Sequence, residues 1–262
     1  MDSRGVSDVV AFVLVFSLIA ATTGVVYAVG FTGLESARNA ERVDNAERAF
    51  EVLGDNMADI YREGAPSRKT EIKLADAGLS FGETTSMNVS IENDTDEAGE
   101  QIYYEANLQP VVFSAAGTDL VYEGGAVVRS ADGYARMVTK PPLLFSDQVV
   151  VLSYVVTSNT GQSSVTGDAT ALVRGVRTGQ ALLVQNNSNP KMTLRIETTT
   201  PRAAMWERYI NDRVTWAGAD WTPADPLCTT TYLGGGRSEV VCTVKSDSLY
   251  LTSTGIDVEL TV

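Results

Sequence analysis

The pattern of apolar and polar positions changes character twice along the chain. Between Asp8 and Glu35 no side chain carries a formal charge, and residues 9–34 form a run of 26 mostly apolar residues, VVAFVLVFSLIAATTGVVYAVGFTGL. The run is apolar on every face rather than along one stripe, as expected of a segment whose whole surroundings are apolar. As a helix rising about 1.5 Å per residue it reaches roughly 39 Å, more than the roughly 30 Å of a bilayer's hydrocarbon core. The run therefore predicts a membrane-spanning helix. From Glu35 the sequence is mixed, but helical periodicity persists: Val43, Ala46, Phe50, Leu53, Met57 and Ile60 follow at spacings of 3, 4, 3, 4 and 3, with charge on the other faces. This stripe predicts one covered side, packed against the chain's own globular part or against a neighbour in a bundle. Arg38, Arg42, Glu47 and Glu51 read as the solvated side. Gly64-Ala65-Pro66 closes the pattern.

Beyond residue 67 the period shortens to that of strands. Short β-branched or aromatic runs occupy 71–74, 86–92, 102–113, 120–122, 126–129, 135–138, 149–157, 169–176, 192–198, 228–232, 239–244, 248–251 and 257–262. Turn clusters such as Asn93-Asp94-Thr95 and Ser158-Asn159-Thr160-Gly161 separate them. One helix interrupts the strands: Thr200-Pro201 starts it, and residues 202–213 carry Met205, Trp206, Tyr209 and Ile210 at helical spacing, as core anchors on a sheet. The predicted fold class is α+β, a long N-terminal transmembrane and stalk helix followed by a mostly antiparallel, β-sandwich-like head. The membrane helix falls at 6–34, the stalk at 35–64, and the head at 67–262 with its helix near 201–213.

Composition narrows the function. Among 262 residues, 33 acidic against 20 basic side chains give a net charge of −13, and His is absent. A surface this acidic repels a phosphate backbone, so no nucleic-acid partner is expected. Lys occurs only at 69, 73, 140, 191 and 245, so fifteen of the basic residues are Arg. Acid excess with little Lys suits very salty water, where screening weakens self-repulsion; an acidic secreted protein is the alternative. Without His the commonest general base and metal ligand is missing, and no nucleophile elbow, phosphate loop or dinucleotide fingerprint is present. Glu105 with Asp119, or Glu123 with Asp132, are the carboxylate pairs a glycosidase-like dyad would need. Nothing in the sequence selects them over solvated strand-edge acids, so neither an enzyme nor a cofactor is expected. Asp94, Asp96, Glu97 and Glu100 form an acidic loop with the oxygen ligands a hard cation takes. It lacks the ligand register of an EF-hand, so it reads as a solvated loop without metal.

Cys228 and Cys242 each lie seven residues from Gly235, within Gly234-Gly235-Gly236. A hairpin turning there sets them opposite one another for a disulfide, which requires an oxidising compartment; two free buried thiols are the alternative. Asn88-Val89-Ser90, Asn93-Asp94-Thr95 and Asn186-Asn187-Ser188 fit the N-glycosylation tripeptide, making Asn88, Asn93 and Asn186 the candidate acceptors.

The five residues Met1-Asp2-Ser3-Arg4-Gly5 are short for the charged region of a secretory signal, and the apolar run is long for its core. A cleavable small-residue site at Val26-Tyr27-Ala28 keeps a released form as an alternative. The string Arg4-Gly5-Val6-Ser7-Asp8-Val9-Val10 resembles the class III leader of archaeal type IV pilins, those of haloarchaea especially, in which a basic and a small residue precede Val-Ser and a long apolar helix. The resemblance covers about the first thirty residues. It implies that residues 1–5 are a leader, that a prepilin-type peptidase on the cytoplasmic side cuts between Gly5 and Val6, and that the head faces outside and carries glycans. It also implies that the helix meets membrane lipid and then packs with copies of itself or other pilin subunits. Many haloarchaeal pilins have Pro where this chain has Asp8. A carboxylate there complements the helix dipole and can pair with the freed amine of Val6, or it rests among lipid headgroups. The implied function is a minor or specialised subunit of an archaeal surface filament used in adhesion or surface contact. The alternative is a single-pass surface binding protein that forms no filament.

Overall fold

The computed structural model of the chain describes residues 4–96, 99–216 and 227–262, residues 4–8 and 215–216 by backbone alone. No proline falls between residues 4 and 62, and nothing interrupts the helical ladder there. Helix α1 (Arg4–Arg62) is accordingly one element of 59 residues. It ends where the sequence predicts. Gly64 takes a left-handed φ of 75°, and the amide of Ala65 reaches back to the carbonyl of Asp59 at 3.1 Å. This is the six-residue hydrogen bond of a Schellman cap, which a following Pro66 seals.

Sixteen strands and a second helix follow in the described residues: β1 (Ser67–Lys73), β2 (Ala77–Phe81), β3 (Thr85–Thr95), β4 (Gln101–Leu108), β5 (Val111–Ala115), β6 (Thr118–Glu123), β7 (Ala126–Ala131), β8 (Tyr134–Thr139), β9 (Leu143–Phe145), β10 (Val149–Asn159), β11 (Ser164–Gly167), β12 (Thr170–Asn186), β13 (Lys191–Thr199), α2 (Thr200–Trp216), β14 (Cys228–Gly234), β15 (Arg237–Lys245) and β16 (Ser248–Thr261). They form three sheets: β1-β12-β16-β10-β9, β11-β2-β5-β6-β7-β8 and β14-β15-β13-β3-β4. Every pairing is antiparallel except β10 with β16, which run parallel from Val149↔Ser248 to Asn159↔Val258.

The chain divides into two compact units, Met1–Asp44 and Asn45–Val262. The described residues of the first, 4–44, are helix alone. The second contains the rest of α1, so the rear of the stalk is part of the core of the head. Ala46, Phe50, Leu53, Met57 and Ile60 are all buried. Two glycines set how closely the helix lies to its neighbours. A Cβ added at Gly54 would sit 3.1 Å from Val127 Cγ2, and one at Gly175 would sit 2.7 Å from Met57 Sδ. One glycine thus belongs to the helix facing β7, the other to β12 facing the helix, and residues 45–62 lie between the first and second sheets. A second core gathers Trp206, Met205 and Ile210 of α2 with Val150, Leu152, Leu249, Leu251, Ile196, Val240 and the two cysteines.

Several predicted strand runs differ from the structure: the run at 169–176 continues to Asn186 as β12, and three others differ for local reasons. Residues 102–113 are two strands in different sheets, because Pro110 has no N–H for a ladder and Gln109 turns away to donate its amide to the Thr157 carbonyl at 2.9 Å. Residues 248–251 and 257–262 are one strand, β16. The polar stretch between them reads as a turn, but Thr254 is buried and the Thr252 hydroxyl donates to Ser153 Oγ at 3.1 Å. The short strands β2, β9 and β11, of five, three and four residues, are too brief to carry a period.

Candidate functional sites

Residues 9–34 expose large apolar side chains on every face of α1, Phe12 at 70 % and Val26 at 71 % among them. The segment is long and apolar enough to cross a membrane once. Two of its hydroxyls are satisfied within the helix. Thr22 Oγ1 donates to the Ile19 carbonyl at 3.0 Å and Thr32 Oγ1 to that of Ala28 at 2.9 Å, so neither hydroxyl needs water in a bilayer. Phe12 stacks on Phe16, and Tyr27 tilts against Phe31, one turn apart. Gly5, Val6 and Asp8 lie on the helical backbone, while their side chains lie outside the described residues.

The head holds a polar centre around Glu123, which sequence alone places among solvated strand-edge acids. Glu123, the last residue of β6, is fully buried. Its Oε2 accepts from Arg202 Nη1 at 2.6 Å, Thr85 Oγ1 at 2.5 Å and Thr198 Oγ1 at 3.2 Å, and its Oε1 accepts from Trp206 Nε1 at 2.8 Å. Arg202, itself buried, also donates from Nε to Thr199 Oγ1 at 2.9 Å. One carboxylate therefore ties the second sheet to β3 and β13 of the third and to the first turns of α2. Arg202 and Trp206, four apart on one helix face, are the sequence signal that could have pointed to it. The network is closed: each oxygen of Glu123 already accepts from protein, which suits holding elements in register rather than turning over a substrate.

The carboxylate pairs considered as dyads do not come together. Asp132 sits in the β7–β8 turn at a φ of 52°. Glu123 pairs with Ala126 at the far end of β7, about 20 Å away at 3.3 Å per strand residue, well beyond the roughly 5–9.5 Å of glycosidase carboxylates. Glu105 is in the third sheet and accepts from Asn107 Nδ2 at 3.1 Å, whereas Asp119 is in the second and accepts from Ser114 Oγ at 2.6 Å.

Glu47 also departs from its reading as a solvated residue. Its side chain is 18 % exposed and lies 2.8 Å from Arg129 Nη1 and 2.8 Å from Arg136 Nη2. Burial alone would raise its pKa, but the two guanidiniums outweigh that and hold it below the ordinary carboxylate value.

Cys228 and Cys242 are joined, with their Cα atoms 4.1 Å apart, and both are buried. The hairpin turns at Gly235-Gly236, whose φ values of 58° and 77° suit the two-residue turn that twists with its strands. A turn centred there would set Cys228 opposite Thr243. A bulge between Tyr232 and Gly234 shifts the register by one residue and brings Cys228 opposite Cys242.

The three candidate acceptors differ. Asn88 lies inside β3, paired with Arg195 on one side and Glu105 on the other, and its Oδ1 is buried without a partner. Asn186 Oδ1 accepts from the Ser188 amide at 2.9 Å. Asn93 is exposed, with a left-handed φ of 64°. In the acidic loop Asp94 Oδ2 accepts from Tyr104 Oη at 2.9 Å and Asp96 Oδ1 from the Glu100 amide at 2.9 Å. Glu97 lies outside the described residues. Among the described residues no three Asp, Glu, Cys or His side chains are grouped to hold a metal ion.

These features define a class: a β-rich domain that includes the rear of a long helix whose front is apolar enough to cross a membrane once. The chain belongs to a family described as a family of unknown function (DUF7289), whose model matches residues 4–259. No curated protein and no solved structure matches the chain.

Proposed function

We propose that the protein is a type IV pilin-like surface protein of a salt-loving archaeon, a minor or specialised subunit of a surface filament that makes contact through its head. The observation that carries this reading is the exposed apolar front of α1, following on Arg4-Gly5-Val6-Ser7-Asp8. The family match supports it by running from residue 4 through helix and head together, which treats the apolar segment as part of the protein. In this reading a prepilin-type peptidase cuts between Gly5 and Val6. The head is then outside, where the Cys228–Cys242 bridge is stable, and Asn93 is the acceptor best placed for a glycan. The helix stays in lipid until it packs with other pilin helices. A second reading, a single-pass surface binding protein without filaments, is favoured by Asp8, which stands where many haloarchaeal pilins have Pro.

Mass spectrometry of protein from its native membrane in high salt tests the proposal by the mature N-terminus. A start at Val6 is expected. An intact Met1 overturns the pilin mechanism and leaves a plain anchor, and a start near Val29 makes the head a released protein. Given Val6, detergent-resistant oligomers separate the filament reading from a detergent-soluble monomer.

A further inference from the structure

Strand β12 is seventeen residues long, but its outer neighbour β1 covers only Thr170 to Val176. From Gly179 to Asn186 it pairs with β16 alone among the described strands. Residues 177–183 are all exposed, in contrast to the alternation before them. Leu182 is 56 % and Leu183 39 % exposed, and a Cβ added at Gly179 would meet nothing within 4 Å. Sheet edges of this kind are usually blunted by charge or by bulges; β12 has bulges at Thr178 and Leu183 but, beyond Arg177, no charge. Strand β1 follows that rule with Arg68, Lys69, Glu71 and Lys73, whereas residues 178–190 carry no charge in a chain of net −13.

We infer that residues 179–186 of β12 form a strand-addition edge whose occupant is a second copy of this chain, paired antiparallel. Three observations select the occupant. An unpaired row of backbone groups is completed by another strand. A charge-free segment is one of the few parts of so acidic a molecule that can face its own copy without repulsion. Exposed leucines on an antiparallel pair meet apolar partners across the strands, and the two-fold axis closes the assembly at a dimer. The fold also sets the direction. Asp59 meets Arg68, and Asn56 meets Thr70, so residues 45–62 run opposite to β1 and along β12. Paired copies therefore carry these helical segments in opposite directions.

An eight-residue edge is small beside a standard interface of about 1,600 Å², so the contact is best read by covalent trapping. The only two cysteines are buried and bonded to each other, so a single added cysteine has no partner within the chain. The full chain in detergent and high salt, where copies meet in either orientation, is given one cysteine at a time from 179 to 186. Glu71→Cys on the charged edge is the control. Mild oxidation is expected to give covalent dimer at one or two adjacent positions, about tenfold above the control. Two residues from the axis, the paired copies already stand about 13 Å apart along the strands, beyond the roughly 7 Å Cα reach of a disulfide. Adding Leu182→Lys, or Leu183→Lys where 182 is the peak, is expected to abolish the dimer while the thermal midpoint and the native bridge stay unchanged. A flat profile at the control level, or a peak untouched by lysine, overturns the inference. The result is independent of the N-terminal cut, since it depends on the head alone.

Discussion

The front and rear of helix α1 obey the same backbone rules and need opposite surroundings. Residues 9–34 are apolar all round and exposed, while in residues 45–60 Ala46, Phe50, Leu53, Met57 and Ile60 form one buried stripe and Val52 alone of the large apolar side chains stays exposed. Only a protein core is required by the second pattern, because its remaining faces are polar. The first has no polar face to offer, so water cannot be its solvent on any side. Hydrophobic content alone would not separate the two; the angular distribution of the same residue types does.

Truncation in the rear is expected to have the largest effect. Phe50 is fully buried with its ring 6.4 Å from that of Phe113, and Phe50→Ala is expected to cost about 3–5 kcal/mol of head stability. Denaturant unfolding of the full chain in detergent measures it; a loss below about 1 kcal/mol would mean the stripe is not core. Glu123→Ala belongs to the same scale, about 3–5 kcal/mol, because it strands the buried Arg202 guanidinium without its carboxylate. The companion double variant Glu123→Leu with Arg202→Met is expected to recover much of that loss. A double variant as unstable as the single one would show that the hydrogen bonds to Trp206, Thr85 and Thr198, rather than the unpaired charge, set the cost.

The front is tested by the reverse change. Ala21→Arg places a charge at the middle of the apolar run, which disfavours insertion by about 2.5–3.5 kcal/mol. The membrane-bound fraction is expected to fall while the unfolding midpoint of the head stays where it was. If the head lost stability and membrane association did not change, the front segment would be covered by protein and the contrast between the two halves would collapse.

Periodicity made the helix, its end and its buried stripe legible, since each depends on neighbours in sequence. The disulfide was legible for a partly fortuitous reason. Counting seven residues from Gly235 gives the observed pair, yet the turn is centred half a residue later, and the bulge before Gly234 supplies the difference. Glu123 was not legible, because its partners Thr85, Thr198 and Arg202 stand 38, 75 and 79 residues away, and a carboxylate at a strand end looks the same in sequence whether water or arginine meets it. Glu47 was misread for a similar reason: it sits off the apolar stripe, and only the pairing of β7 with β8 sets Arg129 beside Arg136. The division into three sheets was hidden too, because one proline divides β4 from β5 and an interior polar stretch fails to divide β16.

Acid supplies the smallest and most selective test of the same contrast. The Glu47 carboxyl titrates below its unfolded value of about 4.3. A depressed pKa contributes stability that is present above the unfolded value and lost as pH falls through the folded one. With Arg136 57 % exposed and Arg129 29 % exposed, solvent screening holds the contribution to about 1 kcal/mol. Glu47→Gln is therefore expected to lower head stability by about that much at pH 7, with the gap shrinking as the pH falls through the acid range and as salt is raised. A gap unchanged by both acid and salt would assign the effect to packing of the side chain rather than to its charge. Residues 9–34 contain no carboxylate, so any membrane association of this segment should not follow the head through the acid range, and the contrast between a titratable rear and a front without acid groups is read by measuring both on the same samples.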